Sequence, residues 1–124
     1  MRRAEQAILI VEHDEPTREL YLRELSREFR VFACCDECTA LDLLRAHDIH
    51  AVVLEPGAAD GSGWGLLVNL KHAAGMRAVP VILCSALDER KRGLELGASA
   101  YLVKPVLPTA LLDALRHVVK PVSK

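Results

Sequence analysis

Five short apolar runs recur along this chain, and the way they are spaced admits few folds. They are Ala7–Val11, Arg30–Cys34, Ala51–Leu54, Val79–Cys84 and Ala100–Val103. Each has the length of a buried strand and is too short for a helix. Stretches with helical spacing lie between them. Pro16 suits a first helical turn, where its missing N–H costs nothing, and acids cluster there. Leu20, Leu22, Leu25 and Phe29 carry that helix through about Glu28. Asp36 can cap a second helix, with Ala40, Leu41, Leu43 and Leu44 on its inner face and an end near His47. A third helix runs from Gly63 to about Ala74, ahead of Gly75, and a fourth from Leu87 to Leu96, ahead of Gly97. The fifth spans Pro108 to Val119, with Leu111, Leu112, Leu115 and Val119 facing inward. Strands alternating with helices in this way predict a parallel sheet covered on both faces. Right-handed crossovers make it a doubly wound α/β sandwich of strand order 2-1-3-4-5, with its site where strands 1 and 3 diverge.

The 124 residues suffice for one domain with its own core, residues 120–124 reading as a tail or linker stub. An apolar fraction of 51% and a charged fraction of 27% are those of a soluble globular chain. A net charge of −1 gives no basis for direct nucleic-acid binding. No apolar run approaches the roughly 20 residues of a membrane span, and Ile8–Val11 is too short for a signal segment. The expected location is cytoplasmic.

The residues at the C-terminal ends of the strands carry the chemistry. Strand 1 ends in Glu12, His13 and Asp14, strand 3 in Glu55, strand 4 in Ser85, and strand 5 in Lys104-Pro105. Acids in such a cluster suit a divalent cation; a hydroxyl and an ammonium suit an anion beside it.

Over Ile8 to about Val119 the chain resembles the receiver domain of two-component response regulators, a flavodoxin-like (βα)5 fold. The matching pieces are Ile8-Leu9-Ile10-Val11 before an acidic turn with Arg18 beyond, Val52-Val53-Leu54-Glu55 before a loop and Gly63, Pro80 to Ala86, and Gly97 to Pro105. The resemblance implies phosphoryl transfer from a histidine kinase to an acid at the end of strand 3. It places Mg²⁺ on two acids after strand 1 and on one backbone carbonyl, here the positions of Glu12, His13 and Gly57. It gives Ser85 and Lys104 the phosphoryl oxygens, and makes Ser85 and Tyr101 the switch that alters the surface formed by helix 4, strand 5 and helix 5.

The departures fall on that chemistry. The phosphoacceptor position is Glu55 rather than Asp, His13 stands where a metal-binding Asp is expected, and Glu12 is a milder change. Pro56 follows the acceptor directly, and Ser62-Gly63 sits where Asp-Gly is common. Glu is one methylene longer than Asp, and a misplacement of about 1 Å can cost on the order of 100-fold in an in-line transfer. An imidazole lowers the affinity for Mg²⁺, which prefers oxygen. The expectation is a pseudo-receiver needing no cofactor, with weak Mg²⁺ binding at most, that meets a protein partner, such as a histidine kinase, an effector domain or a second copy, through the helix 4–strand 5–helix 5 face. Glu55 then has three readings: a partial phosphoryl mimic near Lys104 and Ser85 that holds Tyr101 inward, a structural ion pair with Lys104, or a residual acceptor alongside the nearby acids Asp14 and Asp60.

Weaker signals remain. His13 with Glu12 and Glu55 could suit Zn²⁺ or Mn²⁺, although a polar filler of a vacated site is the plainer reading. Cys35-Asp36-Glu37-Cys38 is a C-x-x-C at a helix start, but Asp36 and Glu37 oppose thiolate formation, which favours incidental cysteines. The glycines of 57–65 match no nucleotide-binding spacing and fit a tight loop. Asp88 to Arg92 is a charged, solvated face.

Overall fold

A computed structural model describes residues 3–57, 62–73, 75–76 and 78–119. Asp60, the expected helix end at Ala74 and the expected tail 120–124 lie outside these residues. The strands are β1 (Ala7–Val11), β2 (Arg30–Cys34), β3 (Ile49–Leu54), β4 (Val81–Ser85) and β5 (Ala100–Val103). The helices are α1 (Glu15–Leu25), α2 (Glu37–Ala46), α3 (Ser62–His72), α4 (Arg90–Glu95) and α5 (Pro108–Val118). All four strand pairings are parallel and the order is β2-β1-β3-β4-β5, as expected.

Alternation along the strands splits the core in two. Leu9, Val11, Val52, Leu54 and Leu83 face one layer, with Ala40 and Leu44 of α2 and Leu66, Leu67 and Leu70 of α3. Ile8, Ile10, Ala51, Val53 and Ile82 face the other, with Tyr21 and Leu25 of α1 and Leu111 and Leu115 of α5. Both faces of β1 and β4 are buried, which is why those strands read as continuous apolar runs.

Several boundaries differ from expectation, each for a local reason. β3 starts at Ile49, because the β1–β3 register shifts between Ala7 and Ile8 and His50 Nδ1 accepts the Ala7 N–H at 3.0 Å. β4 starts after Pro80, which has no N–H to give, and extends to Ser85, which pairs with Val103. α1 stops at Leu25, where the Leu25 carbonyl accepts from both Glu28 N and Phe29 N in a closing turn. The largest difference is α4, which loses its expected first turn. Leu87 N donates to Ser85 Oγ, and the Tyr101 hydroxyl donates to Leu87 O and accepts from Glu89 N. Backbone groups captured by side chains in this way cannot join a helical ladder.

Candidate functional site

The strand ladders bring the expected residues to one edge. Glu12 N donates to Cys34 O and Glu55 N to Val11 O, which sets the two glutamates at adjacent strand ends. Lys104 N donates to Ser85 O at 2.7 Å, which fixes the lysine beside the serine. Arg18 Nη1 donates to Glu12 O at 2.9 Å and holds the turn after β1 against α1.

At the centre are two buried glutamates and one ammonium. Lys104 Nζ lies 2.6 Å from Glu12 Oε1 and 3.0 Å from Glu55 Oε2. The other oxygens are also engaged: Glu12 Oε2 accepts from Asp14 N at 3.1 Å, and Glu55 Oε1 from Gly57 N at 2.6 Å. Burial pulls the Lys104 pKa down, but its hydrogen bonds to Glu12 and Glu55 outweigh this and hold it above the usual lysine value. The longer arm of Glu55 has curled back onto the chain two residues on. That fold-back requires Gly57, since a Cβ there would stand 2.7 Å from Glu55 Oε1. Gly63 is required as well, because a Cβ would meet Pro56 Cα at 2.5 Å and Glu55 O at 2.8 Å.

His13 does not join this centre. Its side chain is 49% exposed and its Nδ1 lies 3.7 Å from Glu12 Oε2. It lines the mouth of a pocket of about 230 Å³ whose walls include Glu55, Gly57, Ser85, Leu87 and Lys104. Of the two readings of His13, the geometry favours the plainer one, a polar residue beside the site: among the described residues, no three His, Cys, Asp or Glu side chains are placed to hold a metal. The Mg²⁺ positions fare no better in the arrangement seen. All four oxygens of Glu12 and Glu55 have donors, and a divalent ion would have to displace Lys104 Nζ, so these residues do not fit Mg²⁺ as they stand. Asp14 is committed elsewhere, capping α1 by accepting from Thr17 N and Thr17 Oγ1.

The other half of the site holds Ser85 and Tyr101, the two residues expected from the resemblance to act as a switch. Ser85 is buried; its Oγ accepts from Leu87 N at 3.2 Å and makes no hydrogen bond to Glu55. Tyr101 is turned inward, 5% exposed, with its hydroxyl 2.5 Å from Leu87 O and 3.1 Å from Glu89 N. Its ring lies against Gly93 of α4, where a Cβ would meet Leu83 Cδ1 at 2.7 Å and Tyr101 Cδ2 at 2.8 Å. Sequence reasoning passed over Gly93, although a glycine inside a short helix signals close approach of another group. It read Arg92 only as part of a solvated charged face, whereas its guanidinium stacks 4.0 Å above the Trp64 ring and ties α4 to α3.

All four cysteines are free. Burial pushes the Cys84 thiol, on the α1–α5 side of β4, up to about 12, and the Cys34 thiol up to about 11. Cys35 and Cys38 are exposed, and the Cys35 thiol donates to Asp36 Oδ2 at 3.7 Å. A wider hollow of about 370 Å³ lies at the opposite edge of the sheet, lined by Ile49, His50, Val79, Pro80 and Val118, far from this chemistry. Among the described residues, no helix is long and apolar enough to cross a membrane.

Geometry alone defines the class: a doubly wound parallel sheet with a carboxylate, a hydroxyl and a lysine gathered at its switch point. Residues 8–116 match the response regulator receiver domain, and the chain belongs to that family. It is 31% identical over 120 residues to the phosphate regulon transcriptional regulatory protein PhoB of Escherichia coli K12, which covers 94% of this chain and 52% of PhoB. It is 34% identical over 117 residues to the probable transcriptional regulatory protein SilR of Salmonella typhimurium, covering 91% of this chain and 50% of SilR. The chain thus spans about half the length of these relatives. In fold it matches the chemotaxis protein CheY4 of Vibrio cholerae, with a TM-score of 0.85 at 19% identity over 94% of this chain and all of that one. The BeF3-activated receiver domain of DrrB matches with a TM-score of 0.80 at 25% identity, over 92% of this chain and 97% of that one.

Proposed function

We propose that this receiver works as a fixed protein-interaction module of a cytoplasmic two-component phosphorelay, signalling without phosphorylation of its own. Glu55 serves as a partial, permanent substitute for the phosphoryl group, with one negative charge where a phosphoryl carries roughly two. The observation that supports this reading most directly is the inward Tyr101, bonded to Leu87 O and Glu89 N while Ser85 Oγ engages Leu87 N. Together the Ser85 and Tyr101 hydroxyls hold the β4–α4 segment in one arrangement. The partner reads the α4–β5–α5 side, where Leu87, Leu94 and Leu107 are exposed at 65%, 47% and 70% beside the charges of Arg90 and Lys91. An effector domain, a histidine kinase or a second copy would meet that face. The reading includes no self-catalysed phosphorylation or dephosphorylation.

Intact mass after incubation with acetyl phosphate and Mg²⁺ tests this reading, and the expected spectrum is unchanged. Added phosphoryl mass would overturn it. A second reading has its own support, because Glu55 spends its oxygens on Lys104 and Gly57 and none on Ser85. In that reading the ion pair is structural only. Glu55→Gln separates the two: loss of partner affinity with the fold retained supports the mimic, and loss of stability alone supports the structural pair.

A further inference from the structure

Residues 87–96 carry helical spacing, yet only Arg90–Glu95 are helical. The helix that remains begins badly. Its N-cap, Glu89, makes no side-chain cap bond, and its first turn holds no acid. Arg90, Lys91 and Arg92 instead set three cations against the positive end of the helix dipole. A better start stands just upstream. Ser85-Ala86-Leu87-Asp88 has the Ser-x-x-Asp spacing of a capping box, and a helix begun there would carry Asp88 and Glu89 near its positive end. We propose that α4 is a helix of two lengths: the Tyr101 hydroxyl holds it at Arg90–Glu95, and withdrawal of that hydroxyl lets it grow by about one turn to an N-cap at Ser85.

Three observations carry the inference. The cap bond of the longer helix is already made, since Leu87 N, two residues beyond Ser85, donates to Ser85 Oγ at 3.2 Å. One side chain blocks the ladder of that helix at two points. Leu87 O should accept from Lys91 N, and Glu89 N should donate to Ser85 O. The Tyr101 hydroxyl takes both groups, donating to Leu87 O at 2.5 Å and accepting from Glu89 N at 3.1 Å. Ser85 O accepts from Lys104 N at 2.7 Å and keeps a second lone pair for Glu89 N. Finally, the ring of Tyr101 packs on Gly93, inside the part of α4 common to both lengths, so its packing and its hydroxyl bonds can be removed separately. The longer helix would bring Leu87, Lys91 and Leu94 onto one face, at spacings of four and three, whereas the shorter one leaves Leu87 outside the helix. This consequence for a partner rests on the interaction-module reading; the helix length itself does not.

Amide hydrogen exchange and Cα chemical shifts of the wild type, Tyr101→Phe and Tyr101→Phe/Ser85→Ala test the proposal. In the wild type, protection in α4 should begin at Gly93, whose N–H donates to Glu89 O at 3.0 Å. In Tyr101→Phe, the Lys91 amide should gain about tenfold in protection, and the Cα shifts of residues 86–89 should become helical. Loss of that gain in the double variant upholds Ser85 as the cap. An unchanged Lys91 amide in a folded Tyr101→Phe overturns the proposal, and so does a gain that survives Ser85→Ala. Should Tyr101→Phe not fold, Ala86→Pro decides, because proline favours the first helical position and Tyr101 stays in place. The same gain at Lys91 then upholds the proposal, and a flat response overturns it. Phosphoryl transfer to the protein from acetyl phosphate would overturn the interaction-module reading and leave the two helix lengths standing.

Discussion

The two halves of the strand-end site have diverged to different degrees. On the β1–β3 side, the positions that would hold metal and phosphoryl group carry Glu12, His13 and Glu55, and their carboxylate oxygens are spent on a lysine and on backbone N–H groups. On the β4–β5 side, Ser85, Tyr101 and Lys104-Pro105 keep the family pattern, and Tyr101 lies in a slot that fits it. The β1–β3 side, here the refilled half, is closed by an ion pair, while the β4–β5 side, the readout half of the proposed function, holds Ser85 and Tyr101 in one hydrogen-bonded arrangement. Lys104 belongs to both halves: its backbone belongs to the readout side and its ammonium to the refilled side.

The sharpest way to break that comparison is to remove the shared residue. Lys104→Met leaves two buried carboxylates uncompensated and should cost about 3–5 kcal/mol in metal-free urea unfolding. The same link sets a pH dependence. The Lys104 pKa is raised in the folded state, so its contribution is complete below the ordinary lysine value of 10.5 and declines as pH climbs through the higher folded value. Stability curves of wild type and Lys104→Met should therefore converge only at strongly alkaline pH. Convergence already near neutrality would mean that the ammonium does not hold the glutamates together.

Next in size is a change confined to the readout half. Gly93→Ala puts a methyl group into the Tyr101 ring and should cost about 1–3 kcal/mol by overpacking. Amide and aromatic NMR shifts should move at Tyr101, Leu87 and Glu89 and stay in place at Glu12 and Glu55. Shifts that reach the glutamates would show the two halves to be mechanically joined.

A smaller effect tests the refilled half. Gly57→Ala should cost about 1 kcal/mol beside Glu55, whose flexible carboxylate must give way, and less in a Glu55→Asp background, where the shorter arm leaves the space free. Additive costs in that double-mutant cycle would mean the fold-back of Glu55 is not what requires Gly57.

The fold was legible because burial on both faces writes β1, β3 and β4 as apolar runs, and period-3.6 spacing marks the helices between them. The strand order followed from the handedness of the crossovers. Glu55, Ser85 and Lys104 could be placed at the site because each ends a strand. What the sequence did not show were side-chain reach and competition. It suggested that Lys104 meets Glu55, but not that Glu12 shares the same ammonium, because the Glu12–Lys104 contact depends on how two loops converge. Ten residues from Leu87 to Leu96 carry helical spacing, yet the hydroxyls of Ser85 and Tyr101 take the backbone of the first turn. His13 lies only one residue further from the end of β1 than Glu12, yet its side chain is half exposed where that of Glu12 is buried, a difference of one position in an irregular turn.

The stack of Arg92 on Trp64 gives the protein an internal optical reporter. The chain has a single tryptophan, so its emission comes from one place. The guanidinium above it belongs to α4, the helix on the face assigned to the partner, and its charge bears directly on the indole. A partner that draws Arg92 into a contact of its own must lift it off the indole, a loss of about 0.5–1 kcal/mol that binding readily covers. Docking should therefore change Trp64 emission in the unlabelled protein, and Arg92→Ala should produce that change in advance and leave the titration flat. A partner that binds without altering the emission would be docking elsewhere.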